Sequence, residues 1–150
     1  MTAYDPTAVL SSPTDWVARQ AAEYETSGGT RGTDTGGAPS LLLDHRGRVS
    51  GAWHRTVLIY GRDGADHLVV ASNSGSADHP QWYRNLVVHP EAYVRVGTER
   101  FAARAETLSP TEKTRVWPHL LEVFAPYAEF QQRTGRDIPV VRLSRCPSDG

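Results

Sequence analysis

Short apolar segments broken by turn residues make up most of the chain after Ser40. Six of them have the length and composition of β-strands: residues 41–43, 56–60, 67–72, 93–96, 100–107 and 138–143. Arg62-Asp63-Gly64 is typical of a hairpin turn between the second and the third. Because helices do not alternate regularly with these strands, the pattern excludes a doubly wound parallel sheet. It predicts an α+β fold built on a mostly antiparallel barrel.

Helix-start signals precede four further segments, near residues 15, 80, 110 and 126. Pro80 is predicted at the first helical position of the second helix. The buried side of that helix is predicted to carry Trp82, Tyr83, Leu86 and Val87. Ser109-Pro110-Thr111-Glu112 is a capping box that opens the third helix. These signals predict three to four helices around one small barrel of about six strands.

The length of 150 residues is that of one ordinary domain, and we expect residues 1–150 to form a single unit. Residues 1–12 are expected to be flexible, and residues 144–150 are expected to form a tail. The 16 basic and 17 acidic side chains balance each other. This balance argues against a nucleic-acid-binding protein of the basic-patch type.

Cysteine use and hydropathy favour the cytoplasm. Cys146 is the one cysteine, so the chain cannot form an internal disulfide and nothing favours an oxidising compartment. The longest apolar runs, residues 57–60 and 68–71, are far too short to span a membrane, and no secretory signal pattern opens the chain. We therefore expect a cytoplasmic protein without a transmembrane segment.

Signatures of metal-dependent and nucleophilic catalysis are missing from the sequence. The six histidines have no spacing typical of a metal site, and no metal is predicted. No serine sits in a nucleophile elbow, and the glycines form neither a P-loop nor a dinucleotide fingerprint. Asp34 and Asp44 do not form a recognisable acid–base pair. Composition and spacing alone leave the chemistry open.

Two neighbouring segments could form a site for a flat ligand. Residues 69–75 read as a strand that ends in small residues, where a ring can approach the backbone and bond to its amides. The helix that starts near Pro80 offers free N–H groups and the positive end of its dipole. Trp82 and Tyr83 add aromatic area beside it. The residues alone favour a simpler alternative, in which aromatic side chains merely pack a strand, a turn and a helix.

The same two segments resemble the core signature of the deazaflavin-dependent nitroreductase family. That signature reads Ala-Ser-x-x-Gly at 71–75, Pro-x-Trp-Tyr-x-Asn-Leu at 80–86 and His-Pro at 89–90. Residues 125–131 resemble the late aromatic motif of this family, residues 133–140 its closing strand entry and residues 16–29 its leading helix. The likeness extends from about Pro13 to Leu143, with the motifs in the same order.

The resemblance implies a split β-barrel of the FMN-binding-like type that binds coenzyme F-420, an 8-hydroxy-5-deazaflavin with a phospholactyl-polyglutamate tail. Family members pass a hydride from C5 of the reduced coenzyme to nitro compounds, quinones or conjugated enones. The resemblance thus implies an actinobacterial-type oxidoreductase with a small-molecule substrate, and it favours coenzyme F-420 over FMN. Related split barrels often pair, so a homodimer is one expected assembly.

By the same resemblance, four residues border the ring of the coenzyme and two more lie near it: Val70, Ala71, Ser72 and Asn73 at the border, with Gln81 and Trp82 near it. Tyr127 matches a substrate-pocket tyrosine that orients the substrate or delivers a proton, and it is the predicted catalytic residue. Tyr83, Phe124 and Phe130 are predicted to complete the substrate pocket. Phe124 and Phe130 stand where some relatives have further tyrosines, so this pocket is expected to be more apolar.

Residues 45–58 occupy the place of the family loop that neutralises the phosphate and carboxylates of the coenzyme tail. The predicted tail ligands are Arg46, Arg48, His54 and Arg55. Val49, His54 and Val57 replace a cation, an arginine and a proline of the family pattern. Either the arginines still clamp the tail, or the site has been repurposed.

Two alternatives use the same barrel without hydride transfer. One is a cofactor-free biosynthetic isomerase or cyclase, with Tyr127, His54 or Asp44 as candidate acid–base groups. The other is a protein that binds a planar ligand without turnover. Activity without any deazaflavin would favour the first, and a co-purified ligand that is never consumed would favour the second.

Overall fold

Antiparallel strands and four helices make up the fold. In the computed structural model, which describes residues 4–147, the helices are α1 (Asp15–Thr26), α2 (Gln81–Val88), α3 (Pro110–Val123) and α4 (Pro126–Arg133). The strands are β1 (Asp34–Thr35), β2 (Ala38–Arg46), β3 (Trp53–Asp63), β4 (Asp66–Val70), β5 (Glu91–Val96), β6 (Glu99–Thr107) and β7 (Val140–Arg145). A short 3-10 turn, Asn73–Gly75, lies between β4 and α2. No helix among these described residues has both the length and the apolar character needed to cross a membrane.

Six of the strands form a closed barrel in which neighbouring strands are antiparallel. They follow one another as β2, β3, β4, β7, β6 and β5, and β5 pairs back onto β2, where Leu43 lies opposite Val94. β1 adds a two-residue edge strand to β2. The late strand β7 lies between β4 and β6, so local hairpins alone do not close the sheet. The predicted α+β barrel with its helical excursions is confirmed.

Alternation along the strands divides the apolar side chains among three clusters. The cluster inside the barrel includes Leu41, Leu43, Val69, Ala71, Val94 and Leu143. The cluster under α3 and α4 includes Leu68, Val70, Val116, Leu120, Ile138 and Val140. A third cluster, under α1, consists of Val17, Ala21, Tyr24, Leu42 and Val57. Successive residues of β4 therefore serve opposite faces of the sheet.

The ends of the chain are attached to the barrel more extensively than the sequence indicates. Leu10, in the segment expected to be flexible, forms a parallel bridge with His54. The ring of Tyr4 stacks on that of Tyr93, with centroids 3.6 Å apart. Residues 144–145, assigned to a tail, belong to β7 and pair with β6. Residues 1–3 and 148–150 lie outside the described part of the chain.

α2 begins one residue later than predicted and turns a different side to the core. Pro80 precedes the helix in an extended conformation, with φ −66° and ψ 154°. Trp82, Asn85 and Leu86 are buried, whereas Val87 is 63% exposed. Buried positions on a helix recur every third or fourth residue, and that spacing leads from Trp82 to Asn85 and Leu86. Val87 therefore lies outside the buried side.

Candidate functional site

A cleft of about 1080 Å³ is formed where several elements of the barrel meet. Residues of β3, of α2, of α4 and of the segment that leads into α1 line it, together with the loop between β4 and α2 (residues 71–80, here called the β4–α2 loop). Cavities of this size accept ligands as large as organic cofactors.

Eleven of the fourteen residues singled out from the sequence line this cleft. They are Arg48, His54, Arg55, Val70, Ser72, Asn73, Gln81, Trp82, Phe124, Tyr127 and Phe130. The fold thus brings together groups that the sequence assigned separately to the ring, the tail and the substrate. Their individual contacts with a ligand stay predictions.

Ala71 and Tyr83 do not line the cleft, so the structure places their side chains apart from the other predicted ring and pocket residues. Ala71 is fully buried inside the barrel, because the strand period of two turns it away from the face that carries Val70. Tyr83 follows Trp82 by one helical position and therefore points elsewhere. Its hydroxyl lies 3.0 Å from Oγ1 of Thr107.

Arg46 does not line the cleft either. It is the last residue of β2, paired with Trp53 of β3. Its Nε is buried without a hydrogen-bond partner among residues 4–147. This placement counts against its predicted role as a tail ligand.

Arg55 lines the cleft, but carboxylates already hold its guanidinium. Nε and Nη2 donate to the two oxygens of Asp44, each over 2.7 Å. Nη1 lies 3.6 Å from Oε2 of Glu25. A guanidinium engaged in this way has little capacity for a further anion, which counts against Arg55 as a tail ligand. Asp44 is held by Arg55 in turn, and it does not line the cleft.

Arg48 differs from Arg55 because its partners are neutral. Nη1 donates to Oδ1 of Asn85 over 2.8 Å, and Nη2 donates to Oε1 of Gln81 over 2.8 Å. The backbone N–H of Arg48 also donates to Oδ1 of Asn85, over 3.1 Å. Amide groups therefore orient this guanidinium without neutralising it, and its charge acts on the cleft.

His45 and Asn85 are site residues that sequence reasoning missed. Nδ2 of Asn85 lies 2.9 Å from Nδ1 of His45, and it is the donor because the amide oxygen accepts from Arg48. Burial, with a smaller contribution from His54, lowers the pKa of His45 to about 3, so its ring is neutral with the proton on Nε2. The rings of His45 and His54 stack with centroids 5.7 Å apart. Only the register of β2 with β3 places these two histidines opposite each other.

The β4–α2 loop reverses direction through left-handed backbone. Asn73 has φ 46° and Ser74 has φ 54°, conformations that each cost about 1 kcal/mol or more in a residue other than glycine. Gly75 follows with φ 79°. α2 starts at Gln81, so the positive end of its dipole lies beside this loop and the cleft.

Phe124, Tyr127 and Phe130 form the aromatic wall of the cleft. The ring centroids of Phe124 and Tyr127 are 5.0 Å apart, and those of Tyr127 and Phe130 are 6.5 Å apart. Burial raises the pKa of Tyr127, and among residues 4–147 no hydrogen bond to its hydroxyl offsets that burial. Tyr127 is therefore a protonated donor.

These features fit a planar ligand with an anionic tail, which is the form of coenzyme F-420. Val70 and Trp82 offer apolar surface for a ring, and Ser72 is small enough for a close approach. Arg48 offers the cation that a phosphate or carboxylate requires. The residues present therefore fit this coenzyme.

Comparison with known proteins agrees with this fit. The family model described as F-420H(2)-dependent quinone reductase matches residues 16–145. An F-420H(2)-dependent quinone reductase of Mycobacterium tuberculosis is 40% identical over 113 residues, which cover 73% of this chain and 76% of that protein.

Two solved structures extend the likeness to three dimensions. One, described as a domain-swapped dimer, has a TM-score of 0.69 and 32% identity, and the match covers 89% of this chain and all 100% of that one. The other, described as the F-420-H2 dependent reductase FDR-A, has a TM-score of 0.66 and 31% identity, with 71% and 94% covered. The split barrel and the resemblance found in the sequence motifs are confirmed. The chain belongs to the F-420H(2)-dependent quinone reductase family.

Proposed function

We propose that this chain transfers a hydride from reduced coenzyme F-420 to a quinone-type acceptor bound in the cleft. As a member of its family, the chain is an oxidoreductase that depends on the reduced coenzyme. One observation supports this cleft as the place of reaction: it combines Arg48, a cation held by neutral amides, with the aromatic wall. When bound, the reduced deazaflavin supplies the hydride from C5. The protein supplies binding, orientation and exclusion of water.

Arg48 is the proposed ligand of the anionic tail. Asn85 and Gln81 already hold its guanidinium, so little side-chain freedom is lost when an anion binds. His54 lines the same cleft and adds a hydrogen bond or a charge.

The ring is proposed to lie beside the end of β4 and the start of α2. Val70 and Trp82 contact its faces or edges through apolar atoms, and Ser72, Asn73 and Gln81 offer polar atoms around it. Trp82 is 7% exposed, so its packing fixes its orientation before a ligand arrives.

Tyr127 is the proposed hydrogen-bond donor to the acceptor. A quinone that accepts a hydride develops negative charge on a carbonyl oxygen, and a fixed O–H group stabilises that charge in the transition state. The hydroxyl of Tyr127 keeps its proton because burial raises its pKa. Phe124 and Phe130 surround it with apolar surface that excludes water and strengthens this interaction.

The cofactor-free isomerase or cyclase and the planar-ligand binder become outcomes of the test. Asp44 is paired with Arg55 and does not line the cleft, so of the three acid–base candidates named from the sequence, His54 and Tyr127 line it. No arrangement in the described residues favours either alternative over hydride transfer.

A titration with coenzyme F-420 that follows tryptophan fluorescence tests binding, because Trp16 and Trp82 both line the cleft. We expect saturation in the low micromolar range and oxidation of the reduced coenzyme when menadione is added. Arg48→Gln should weaken binding about tenfold to a hundredfold, since a charge-assisted hydrogen bond contributes about 1.5–3 kcal/mol. Arg115→Gln, at an exposed pair with Asp63, is the matched control.

Three results would reject parts of this proposal. No binding at several hundred micromolar coenzyme would reject the function. Turnover of a substrate without any deazaflavin would favour the isomerase or cyclase. Equal affinity in Arg48→Gln and Arg115→Gln would reject Arg48 as the tail ligand.

A homodimer and a cytoplasmic location are also proposed. The solved relative described as a domain-swapped dimer supports the first. Light scattering on the purified protein, and fractionation of cells that express it, test the two.

A further inference from the structure

The guanidinium of Arg136 contacts the β4–α2 loop along most of its length. Nη1 and Nη2 both donate to the carbonyl oxygen of Ala71, each over 3.3 Å. Nη2 also donates to the carbonyl oxygen of Ser72 over 2.8 Å, and Nε donates to that of Ser76 over 2.9 Å. Nη1 lies 3.0 Å from Nδ1 of His79. One side chain therefore links the start of this loop to its end.

A second arginine supplements these contacts. Nη1 of Arg133 donates to the carbonyl oxygen of Ser74 over 3.0 Å. The loop lies between a strand and a helix, and its left-handed residues Asn73 and Ser74 prevent regular structure there. Donors from outside the loop therefore add to the hydrogen bonds that the loop makes within itself, such as the one from Nδ2 of Asn73 to the carbonyl oxygen of Asp78.

The same loop is in direct contact with α4. At Gly75, an added Cβ would lie 3.1 Å from the carbonyl oxygen and 3.2 Å from Cα of Phe130. Arg136 belongs to the segment between α4 and β7, which follows the helix that carries Tyr127. Arg136 and Gly75 thus fasten the wall that contains Ser72 to the aromatic wall.

The chemistry of Arg136 suits several carbonyl groups at once. Its partners are neutral, and burial lowers its pKa, so holding the charge at this place carries a desolvation cost. The planar guanidinium presents five N–H groups in a fixed fork, whereas the ammonium of lysine presents a single nitrogen. A residue that only filled space would not need these donors.

We propose that Arg136 is a positioning residue for hydride transfer. It holds the wall around Ser72 and Asn73 at a fixed separation from the aromatic wall that carries Tyr127, and so sets the distance between coenzyme and acceptor. This inference rests on the proposed function, because it assumes that the ring lies beside Ser72 and Asn73. Reacting atoms must approach within about 3–3.5 Å, and a displacement of about 1 Å costs on the order of a hundredfold in rate.

Hydrogen exchange on the protein without ligand tests the positioning itself. The N–H of Gly75 donates to the carbonyl of Ser72, and the N–H of Ser76 donates to that of Asn73. In Arg136→Gln we expect these two amides to exchange at least about tenfold faster, while amides of β2 and β3 keep their protection. Unchanged exchange in the loop overturns the proposal, whatever the coenzyme does.

Steady-state kinetics with menadione test the consequence. At saturating coenzyme, Arg136→Gln should lower kcat about tenfold to a hundredfold and leave KM for menadione within about threefold of the wild-type value. Arg136→Lys should recover part of the loss, because the ammonium keeps the charge and still reaches one carbonyl. Arg115→Gln, remote from the cleft, is the control for the loss of an arginine.

Two results separate this inference from the proposed function. A lower melting temperature with normal kcat in the folded fraction would give Arg136 a structural role only and overturn the inference. If the wild-type protein does not reduce menadione with coenzyme F-420, the proposed function fails, and the exchange experiment alone decides whether Arg136 holds the loop.

Discussion

Asp44 and Arg55 face each other across β2 and β3 as a bidentate pair, with two N–O distances of 2.7 Å. The Asp44 side chain is 3% exposed and that of Arg55 is 12% exposed. Glu25 of α1 adds a second carboxylate to Arg55 and is shared with Arg95 and Arg100. The pair therefore joins two strands of the barrel to the helix that covers them.

Asp44→Asn should lower the free energy of unfolding by about 3 kcal/mol, because it leaves a buried guanidinium without its main partner. Urea denaturation at neutral pH measures this change. Asp15→Asn removes a carboxylate from an exposed pair with Arg19 and should cost at most about 1 kcal/mol. Equal effects of the two substitutions would show that the buried pair contributes little.

Stability should fall as the solution becomes mildly acidic, and His67 is one cause. Its ring lies against Tyr60 and Phe101, and neither nitrogen has a hydrogen-bond partner among residues 4–147. Burial lowers the pKa of His67, so the unfolded chain binds the proton more readily than the folded one. The stabilising contribution of the neutral ring is therefore complete above a pH of about 6.5 and is lost below it.

His67→Leu should remove part of this acid sensitivity. The measurement is the free energy of unfolding between about pH 7.5 and about pH 5.5, a range in which ordinary carboxylates stay ionised. A smaller slope in the variant is expected. Burial also lowers the pKa of His45, so this residue takes up a proton on unfolding in the wild-type protein and in the variant alike. It therefore leaves a residual slope in the variant. Identical slopes would contradict the assignment to His67.

Tyr127→Phe should lower kcat for menadione by about tenfold to a hundredfold, because the transition state loses its fixed hydrogen-bond donor. Affinity for coenzyme F-420 should stay within about twofold, since the ring edge of Tyr127 is retained. Tyr83→Phe removes the same atom from a tyrosine outside the cleft and serves as the control. If both variants behave alike, Tyr127 has no role in the reaction.

The predicted cap of α3 gives a prediction about stability alone. Oγ of Ser109 accepts from the backbone N–H of Glu112 over 3.2 Å, which is the N-cap half of a capping box, while the carboxylate of Glu112 lies 3.0 Å from Nη1 of Arg142. Ser109→Ala should cost about 1 kcal/mol, measured by chemical denaturation. Thr111→Ala, in the exposed first turn of the same helix, should cost less. The idea fails if Thr111→Ala is as damaging as Ser109→Ala.

The sequence was sufficient to predict the barrel and the chain segments that form the cleft. Apolar runs of strand length identify most strands, although β3 extends to Trp53 and Asp63 beyond its apolar centre. The burial of Ala71 also follows from the period of a strand once Val70 is assigned to the cleft. Similarly, the helical period separates Tyr83 from Trp82.

Other parts of the site depend on contacts between distant segments. Whether Arg55 is free to bind an anion is decided by Asp44 across the sheet and by Glu25 of α1. The orientation of Arg48 depends on Asn85, which lies on another element and which the sequence offers only as part of the family signature. Arg136 reaches carbonyl groups more than sixty positions earlier in the chain. Pattern and composition carry no information about such distances.

The position of β7 has a consequence for biosynthesis. β7 is the last strand of the barrel to be translated, yet it is the neighbour of both β4 and β6. Until residues 140–145 have left the ribosome, β4 and β6 each have one edge whose backbone groups are unpaired. Apolar side chains that β7 helps to bury, such as that of Leu68, are exposed to solvent during this time. We therefore expect the incomplete barrel to be prone to aggregation in this period and to bind chaperones that recognise extended apolar segments.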